Sequence, residues 1–341
     1  MERAEAMIEI DRYRAEDKPA LASMYRHVLG ESRADALLQR WEWQYERNPS
    51  LPDGAPLIWV ARENGAIVGQ YATMPVRLWV NGTEIDAAWG TDVMVAPEGQ
   101  RKGLGHRLFE TWDRNVGAAI GLGLTDASTG LFRKLGWPEL GQVPRFVKPL
   151  HDEHGRLAAL LGRMRGALGA THDRAIGQME PMTRFGDEIS RLWERSARHF
   201  AFAVRRDARY LDWKFADAPT QYSIAVLRGG GEARGYVVYR HVAEADKRAT
   251  ILVDFLADPA DDEALPTMLR WLEREARGAR SDVIRAFTTF EGYHGAFRDA
   301  GWVSGALAFR FVAKINAVQV PPEFYSSERW HVTAGDSDVD R

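Results

Sequence analysis

The residues best suited to chemistry lie between Thr91 and Leu108, in the stretch TDVMVAPEGQRKGLGHRL. Asp92 is a carboxylate set in a short, mainly apolar run, Thr91-Asp92-Val93-Met94-Val95, that reads as a strand. Pro97 stops the strand because it has no N–H to give to a ladder. Gln100, Arg101, Lys102, Gly103, Leu104 and Gly105 follow, and an amphipathic pattern then predicts a helix over Leu104–Ala118. A strand thus feeds a glycine-punctuated turn, and the turn feeds a helix N-terminus. The first N–H groups of a helix lack intrahelical partners and carry the positive end of its dipole, so such an end attracts phosphate. Gly103 and Gly105 have no Cβ to hold a pyrophosphate away, and Arg101 and Lys102 add positive charge. The competing reading of this glycine pair is a tight turn and nothing more.

The pattern resembles motif A of the GNAT acyltransferase superfamily, Gln/Arg-x-x-Gly-x-Gly/Ala after a strand, with Gln100, Gly103 and Gly105 in the matching places. The resemblance implies an acyl-CoA co-substrate, most simply acetyl-CoA, whose pyrophosphate contacts Gln100, Arg101, Lys102, Gly103, Leu104 and Gly105. It also implies that pantetheine adds as an extra strand along Val93 and Val95. The N–H of Met94 would then face the thioester oxygen, and Asp92 would be the base for an attacking amine. The competing reading of Asp92 is a buried hydrogen-bonding residue. Ser128, with Thr125 and Thr129, is expected against the CoA arm or in a helix cap. The family's tyrosine acid falls at Phe132, and a phenyl ring has no proton to give. Either the thiolate leaves unaided, a thiolate being a fair leaving group near neutral pH, or Ser128, Thr129 or a residue from elsewhere replaces the acid.

Composition narrows the field. The chain has 341 residues, enough for two domains, and a net charge of −3 that argues against broad nucleic-acid binding. There is no cysteine, which excludes disulfides, an acyl-cysteine intermediate and Cys-ligated zinc. No apolar run reaches the ~18 residues of a membrane span, and no signal peptide opens the sequence, so a cytoplasmic protein is expected. Asp336, Asp338 and Asp340 are spaced like the start of a calcium loop, but the turn glycine and closing glutamate are missing, and no metal is expected.

The chain also repeats itself. Trp43 and its neighbours resemble the segment around Trp213, Asp92 matches Asp254, the Phe132…Gly136-Trp137 block matches Phe297…Gly301-Trp302, and Arg145-Phe146-Val147 matches Arg310-Phe311-Val312. Four blocks in one order at nearly one offset indicate two copies of one domain. The fold class expected is therefore α+β (mixed α/β), two GNAT-like domains in tandem, each a mostly antiparallel sheet flanked by helices. The expected division is 1–150 as the acyl-CoA-binding domain, 151–174 as a linker helix, 175–315 as a degenerate second domain and 316–341 as a C-terminal tail. Each copy is read as helices, a three-strand meander, a central helix and late strands, Pro144–Leu150 ending the first copy and Val303–Val312 the second. Asn64-Gly65 and Asn81-Gly82 predict hairpin turns in the first.

Where the first copy has its glycine turn, the second has Asp261, Asp262 and Glu263 and no glycine, which suits capping and repels pyrophosphate. One acyl-CoA site per chain is expected. Trp41, Trp43, Tyr45, Tyr71 and Trp89 are candidates for an acceptor pocket, with core packing favoured. Tyr293 and His294 are placed facing a cleft, and a docked tail could carry His331 to the acceptor site, since Trp330 calls for burial. The sequence therefore reads as an N-acyltransferase that moves an acetyl group to a small-molecule amine, such as an amino sugar, by direct attack. The alternatives are a non-catalytic acyl-CoA sensor and a Fem-like aminoacyl transferase. No nucleic-acid partner is expected, and an oligomer is left open.

Overall fold

The computed structural model describes residues 8–100, 103–150, 177–244, 247–305 and 309–338. The expected linker helix over 151–174 lies outside them, as do Arg101 and Lys102.

The N-terminal half opens with β1 (Ile8–Arg12), α1 (Lys18–Leu29) and α2 (Glu31–Trp41), the two helices joined at Gly30 with φ +79°. A π-helical turn, Glu42–Glu46, follows. The meander is β2 (Ile58–Glu63), β3 (Ala66–Val80) and β4 (Thr83–Val95), antiparallel throughout. Asn64-Gly65 and Asn81-Gly82 have positive φ at both positions, as two-residue hairpin turns require. Next come α3 (Leu104–Asn115), β5 (Ala118–Leu122) parallel to β4, α4 (Asp126–Lys134), β6 (Glu139–Val143) and β7 (Arg145–Pro149).

The C-terminal half repeats much of the plan. It runs β8 (Gln178–Met182), α5 (Asp187–Ala197), β9 (Phe202–Val204), α6 (Ala208–Leu211) and a second π-helical turn, Asp212–Ala216. The second meander is β10 (Ser223–Gly229), β11 (Glu232–Glu244) and β12 (Lys247–Ala257). Then follow α7 (Ala264–Gly278), β13 (Val283–Phe287), α8 (Glu291–Asp299), β14 (Val303–Ser304), β15 (Phe309–Ile315) and β16 (Trp330–His331). The architecture is the expected mixed α/β one, two mostly antiparallel sheets flanked by helices.

The two π-helical turns meet. Trp43 and Trp213 stack with ring centroids 5.4 Å apart and planes 20° apart. Trp43 Nε1 donates to the Trp213 carbonyl at 2.5 Å, and Trp213 Nε1 returns the bond to the Trp43 carbonyl at 2.7 Å. Such reciprocity is that of a twofold contact, here made within one chain.

The late strands change places. The first sheet runs β1-β2-β3-β4-β5-β15-β6, and the second runs β14-β7-β13-β12-β11-β10-β8. Pro144–Leu150 and Val303–Val312 do contribute strands, but β7 lies antiparallel between β13 and β14, and β15 lies antiparallel between β5 and β6. Each half's sheet is therefore completed by the other half's strand. Pro144, unable to donate to a ladder, stands where the chain leaves one sheet for the other. β9 adds a further tie by pairing with β3.

Candidate active site

β4 and β5 pair at only two positions, Ala88 with Ala119 and Trp89 with Ile120. Beyond Trp89 they part, and a cleft of about 440 Å³ opens, lined by Gly90, Asp92, Val93, Gly121, Ser128 and Phe132 among others. A bulge accompanies the parting. Ala72 pairs with Thr91, but Gln70 pairs with Met94, so Asp92 and Val93 together oppose Tyr71. Asp92 takes φ +37°, an uncommon conformation for a residue with a side chain.

Side chains from several elements fix that bulge. Gln70 Nε2 donates to the Asp92 carbonyl at 2.8 Å, while Gln70 Oε1 accepts from the Tyr25 hydroxyl at 2.6 Å. The Asp92 carboxylate accepts from Arg40 Nη2 at 2.7 Å, the Tyr45 hydroxyl at 2.5 Å and Gln44 Nε2 at 3.4 Å. Burial, then the charge of Asp92, pushes the Tyr45 phenol well above its ordinary range, so it stays a donor. Burial pulls the Arg40 guanidinium down, and Asp92 and Tyr45 more than offset this and leave it raised. Met94 packs into the core beneath α1 and α2, and Val93, 38% exposed, projects outward.

The turn after β4 is open at its outer side. Gly103 is the N-cap of α3, with φ +70°, and brings no side chain to cap it. A Cβ built on Gly103 or Gly105 would meet nothing within 4 Å. Gln100 Nε2 folds back on the Val95 carbonyl at 3.4 Å, and Leu104 turns its side chain into the core. Among the described residues, what this end offers a ligand is therefore chiefly backbone amide.

At the opposite wall, Thr125 caps α4, its hydroxyl accepting from the Ser128 N–H at 3.2 Å. Ser128 Oγ and Thr129 Oγ1 both donate to the Thr125 carbonyl, at 3.1 and 2.8 Å. Phe132 is buried against Phe109 and Trp137.

The second half's corresponding opening is filled by the chain's own tail. Thr289 N–H donates to the Val332 carbonyl at 3.2 Å, and the His331 ring donates from Nε2 to the Phe255 carbonyl at 3.1 Å. Thr333 Oγ1 donates to Asp254 at 2.6 Å, and Arg206 bridges Asp254 at 3.1 Å and Asp336 at 2.6 Å, all fully buried. The helix start of α7 is capped internally: the N–H groups of Glu263 and Ala264 donate to Asp261 Oδ1 at 3.3 and 3.2 Å.

Several candidates thus find structural work. Trp330 is buried as its type demands, but His331 is sealed in the second half and away from the first cleft. The Tyr293 hydroxyl donates to the Ala257 carbonyl at 2.5 Å, and His294 Nε2 meets the Thr288 carbonyl at 3.2 Å. Trp41, Trp43, Tyr45 and Trp89 are core residues; Tyr71 is buried too but also lines the first cleft. Asp338, just beyond the plugged segment, reaches that same cleft. The sequence reading missed Asp338 there, because only the course of the tail brings it across.

Comparison with known proteins bears on the half of the chain that holds this cleft. Residues 9–139 match the family model described as "Acetyltransferase (GNAT) domain". Over that stretch the chain is similar to GNAT acetyltransferase domains. The whole fold resembles several solved structures. One is a GCN5-related N-acetyltransferase from Anabaena variabilis (TM-score 0.64, 13% identity, covering 91% of this chain and 73% of that one). Another is a probable N-acyltransferase from Enterococcus faecalis (0.63, 13%, 91% and 72%). A third is Saccharomyces cerevisiae N-myristoyltransferase with bound myristoyl-CoA (0.55, 13%, 94% and 81%). At such identity the likeness is one of fold. The sequence matches none of the curated proteins compared. Among the described residues no helix is long and apolar enough to cross a membrane.

Proposed function

We propose that the chain is an acetyl-CoA-dependent N-acetyltransferase for a small-molecule amine, such as an amino sugar, with one site per chain in the N-terminal half. The observation that carries this reading is the parting of β4 from β5 after Trp89, beside a helix N-terminus with no side-chain cap at Gly103. The exposed backbone near Val93 and Val95 suits pantetheine added as a strand, and the amides from Gly103 onward suit the pyrophosphate. The cleft ends against the aromatic core of Tyr71, Phe109 and Phe132, which favours a short acyl group. The Met94 N–H is assigned to the thioester oxygen and Asp92 to the amine proton. Arg40 and Tyr45 hold Asp92 in place for that task.

The test is a thermal-shift series with acetyl-CoA and longer acyl-CoAs, followed by thiol release with a panel of amines. Acetyl-CoA should stabilise the protein and some amine should release CoA. Binding without release for any amine would instead favour an acyl-CoA sensor, the reading to which the missing hydroxyl at Phe132 lends weight.

A further inference from the structure

The expected acid position, Phe132, has no proton to donate, and the nearby hydroxyls of Ser128 and Thr129 already donate to the Thr125 carbonyl. A different hydroxyl reaches the cleft. Tyr71, on β3, is 1% exposed and lines the cleft, and among the described residues its hydroxyl has no hydrogen-bond partner. A Cβ built on Gly90 would stand 2.4 Å from that oxygen, so the hydroxyl sits over the backbone of Gly90, one residue past the last β4–β5 pair. Its ring is held rigidly, stacked on Trp112 at 4.6 Å and edge-on to Phe109 at 4.7 Å. Phe109 in turn packs on Phe132 at 5.0 Å, so Tyr71 and Phe132 belong to one aromatic cluster at the same end of the cleft.

The other half supplies a control. Gly69 pairs with Val95 and Gly235 with Ala257, and both glycines press on a β-carbonyl, that of Met94 or Leu256. In that register Gln70 corresponds to Tyr236, each bonded to its half's aspartate. Tyr71 then corresponds to Val237, and Gly90 to Leu252. The hydroxyl and the room made for it occur together, and only in the half with the uncapped helix start.

We propose that the Tyr71 hydroxyl donates a hydrogen bond to the departing sulfur of the acyl-CoA, the part that Phe132 cannot play. The assignment rests on the acyltransferase reading. The amine nitrogen bonds to the carbonyl carbon, the C–S bond breaks, and its electron pair stays on sulfur. The proton shed by nitrogen passes to Asp92 and from there through water to sulfur, giving amide and thiol, while Tyr71 keeps its own proton. Burial, with the charge of Asp113, pushes the Tyr71 phenol well above its ordinary range, so it remains a donor.

The test needs no acceptor. The CoA thiol is a simple alkyl thiol, less acidic than that of cysteine, so the comparison is made at about pH 10, where most of it is ionised. The wild-type protein should then bind CoA roughly tenfold tighter than desulfo-CoA, the scale of a hydrogen bond to a charged group. Tyr71→Phe, which keeps the stacked ring, should bind the two ligands alike, and so should Gly90→Ala, whose methyl displaces the hydroxyl. With an active amine, Tyr71→Phe should lower kcat roughly tenfold at unchanged KM for acetyl-CoA. If the wild type does not discriminate, or if both variants still do, Tyr71 is not the donor and the acyl-CoA site stands. If the wild type binds neither ligand, the acyltransferase reading falls first and takes this assignment with it.

Discussion

The molecule contains the same opening twice, once free and once filled. In both halves a bulged strand parts from its parallel neighbour, and in both an aspartate beside the bulge is held by an arginine and a tyrosine. The first aspartate lies at the edge of a cleft. The second is buried under Thr333, Gly335 and Asp336 of the tail. The shared Asp-Arg-Tyr arrangement therefore belongs to the fold, since it persists where no ligand can enter. What distinguishes the halves is the uncapped Gly103 turn against the Asp261 cap, and Tyr71 with Gly90 against Val237 with Leu252.

The largest expected effect comes from making the first helix start like the second. Gly103→Asp places a carboxylate near the proposed pyrophosphate. At about 5 Å and an effective dielectric near 20, each pair of unit charges costs roughly 3 kcal/mol. Titration calorimetry should show acetyl-CoA affinity reduced more than about 100-fold, while the melting temperature of the free protein falls only by the strain of a side chain at φ +70°. Retained affinity would move the pyrophosphate elsewhere.

The two arginines give the next test. Arg206 is 1% exposed and faces Asp254 and Asp336, both 2% exposed, whereas side-chain exposures at the Arg40–Asp92 pair are 25% and 12%. Removing one partner of a buried pair leaves an uncompensated charge. Arg206→Met should cost about 3–5 kcal/mol in denaturant unfolding, and Arg40→Met about 1 kcal/mol. Equal losses would mean that the first opening is as closed as the second.

Much of the molecule was legible in the sequence because local chemistry dictated it. Asn-Gly turns set the first two hairpins, the glycine turn set the start of α3, and the matched blocks around Trp43 and Trp213 showed the repeat. The strand exchange was not legible. Alternation marks Arg145–Pro149 and Phe309–Ile315 as strands, but nothing in either segment names its neighbours. The π-helical turns were hidden for a similar reason, since one extra residue in a turn leaves the apolar spacing nearly helical. Tyr71 was visible as one aromatic among several. Its bearing on the cleft depends on Gly90, nineteen positions away, which only the β3–β4 register brings beneath it.

Acid should distinguish the filled opening from the free one. Burial, then the nearby Arg206 charge, holds the His331 imidazole well below its ordinary 6.5. Below about pH 6.5 the unfolded chain binds a proton at this histidine that the folded chain refuses, so stability falls as pH falls. One such group contributes at most about 1.4 kcal/mol per pH unit. His241 and His294 are also lowered, chiefly by burial, so the measurement is a difference. The stability of His331→Gln between pH 6.5 and 5 should depend on pH less steeply than that of the wild type. Identical slopes would show that His331 protonates freely and that the tail is loosely held.

The smallest effect separates a glycine kept for a ligand from one kept for packing. A Cβ on Gly335 would meet the Phe215 ring at 2.7 Å and Asp254 Cβ at 3.1 Å, so Gly335→Ala must disturb the plug. A Cβ on Gly105 would meet no protein atom within 4 Å, and its backbone is already helical. By helix propensity alone Gly105→Ala should stabilise the free protein by about 0.5–1 kcal/mol. If the amides of this turn carry the pyrophosphate, the added methyl intrudes on it, and acetyl-CoA affinity should fall a few-fold while the melting temperature rises. A variant that gains stability without losing affinity would leave Gly105 with no role at the site and confine the anion contact to Gly103.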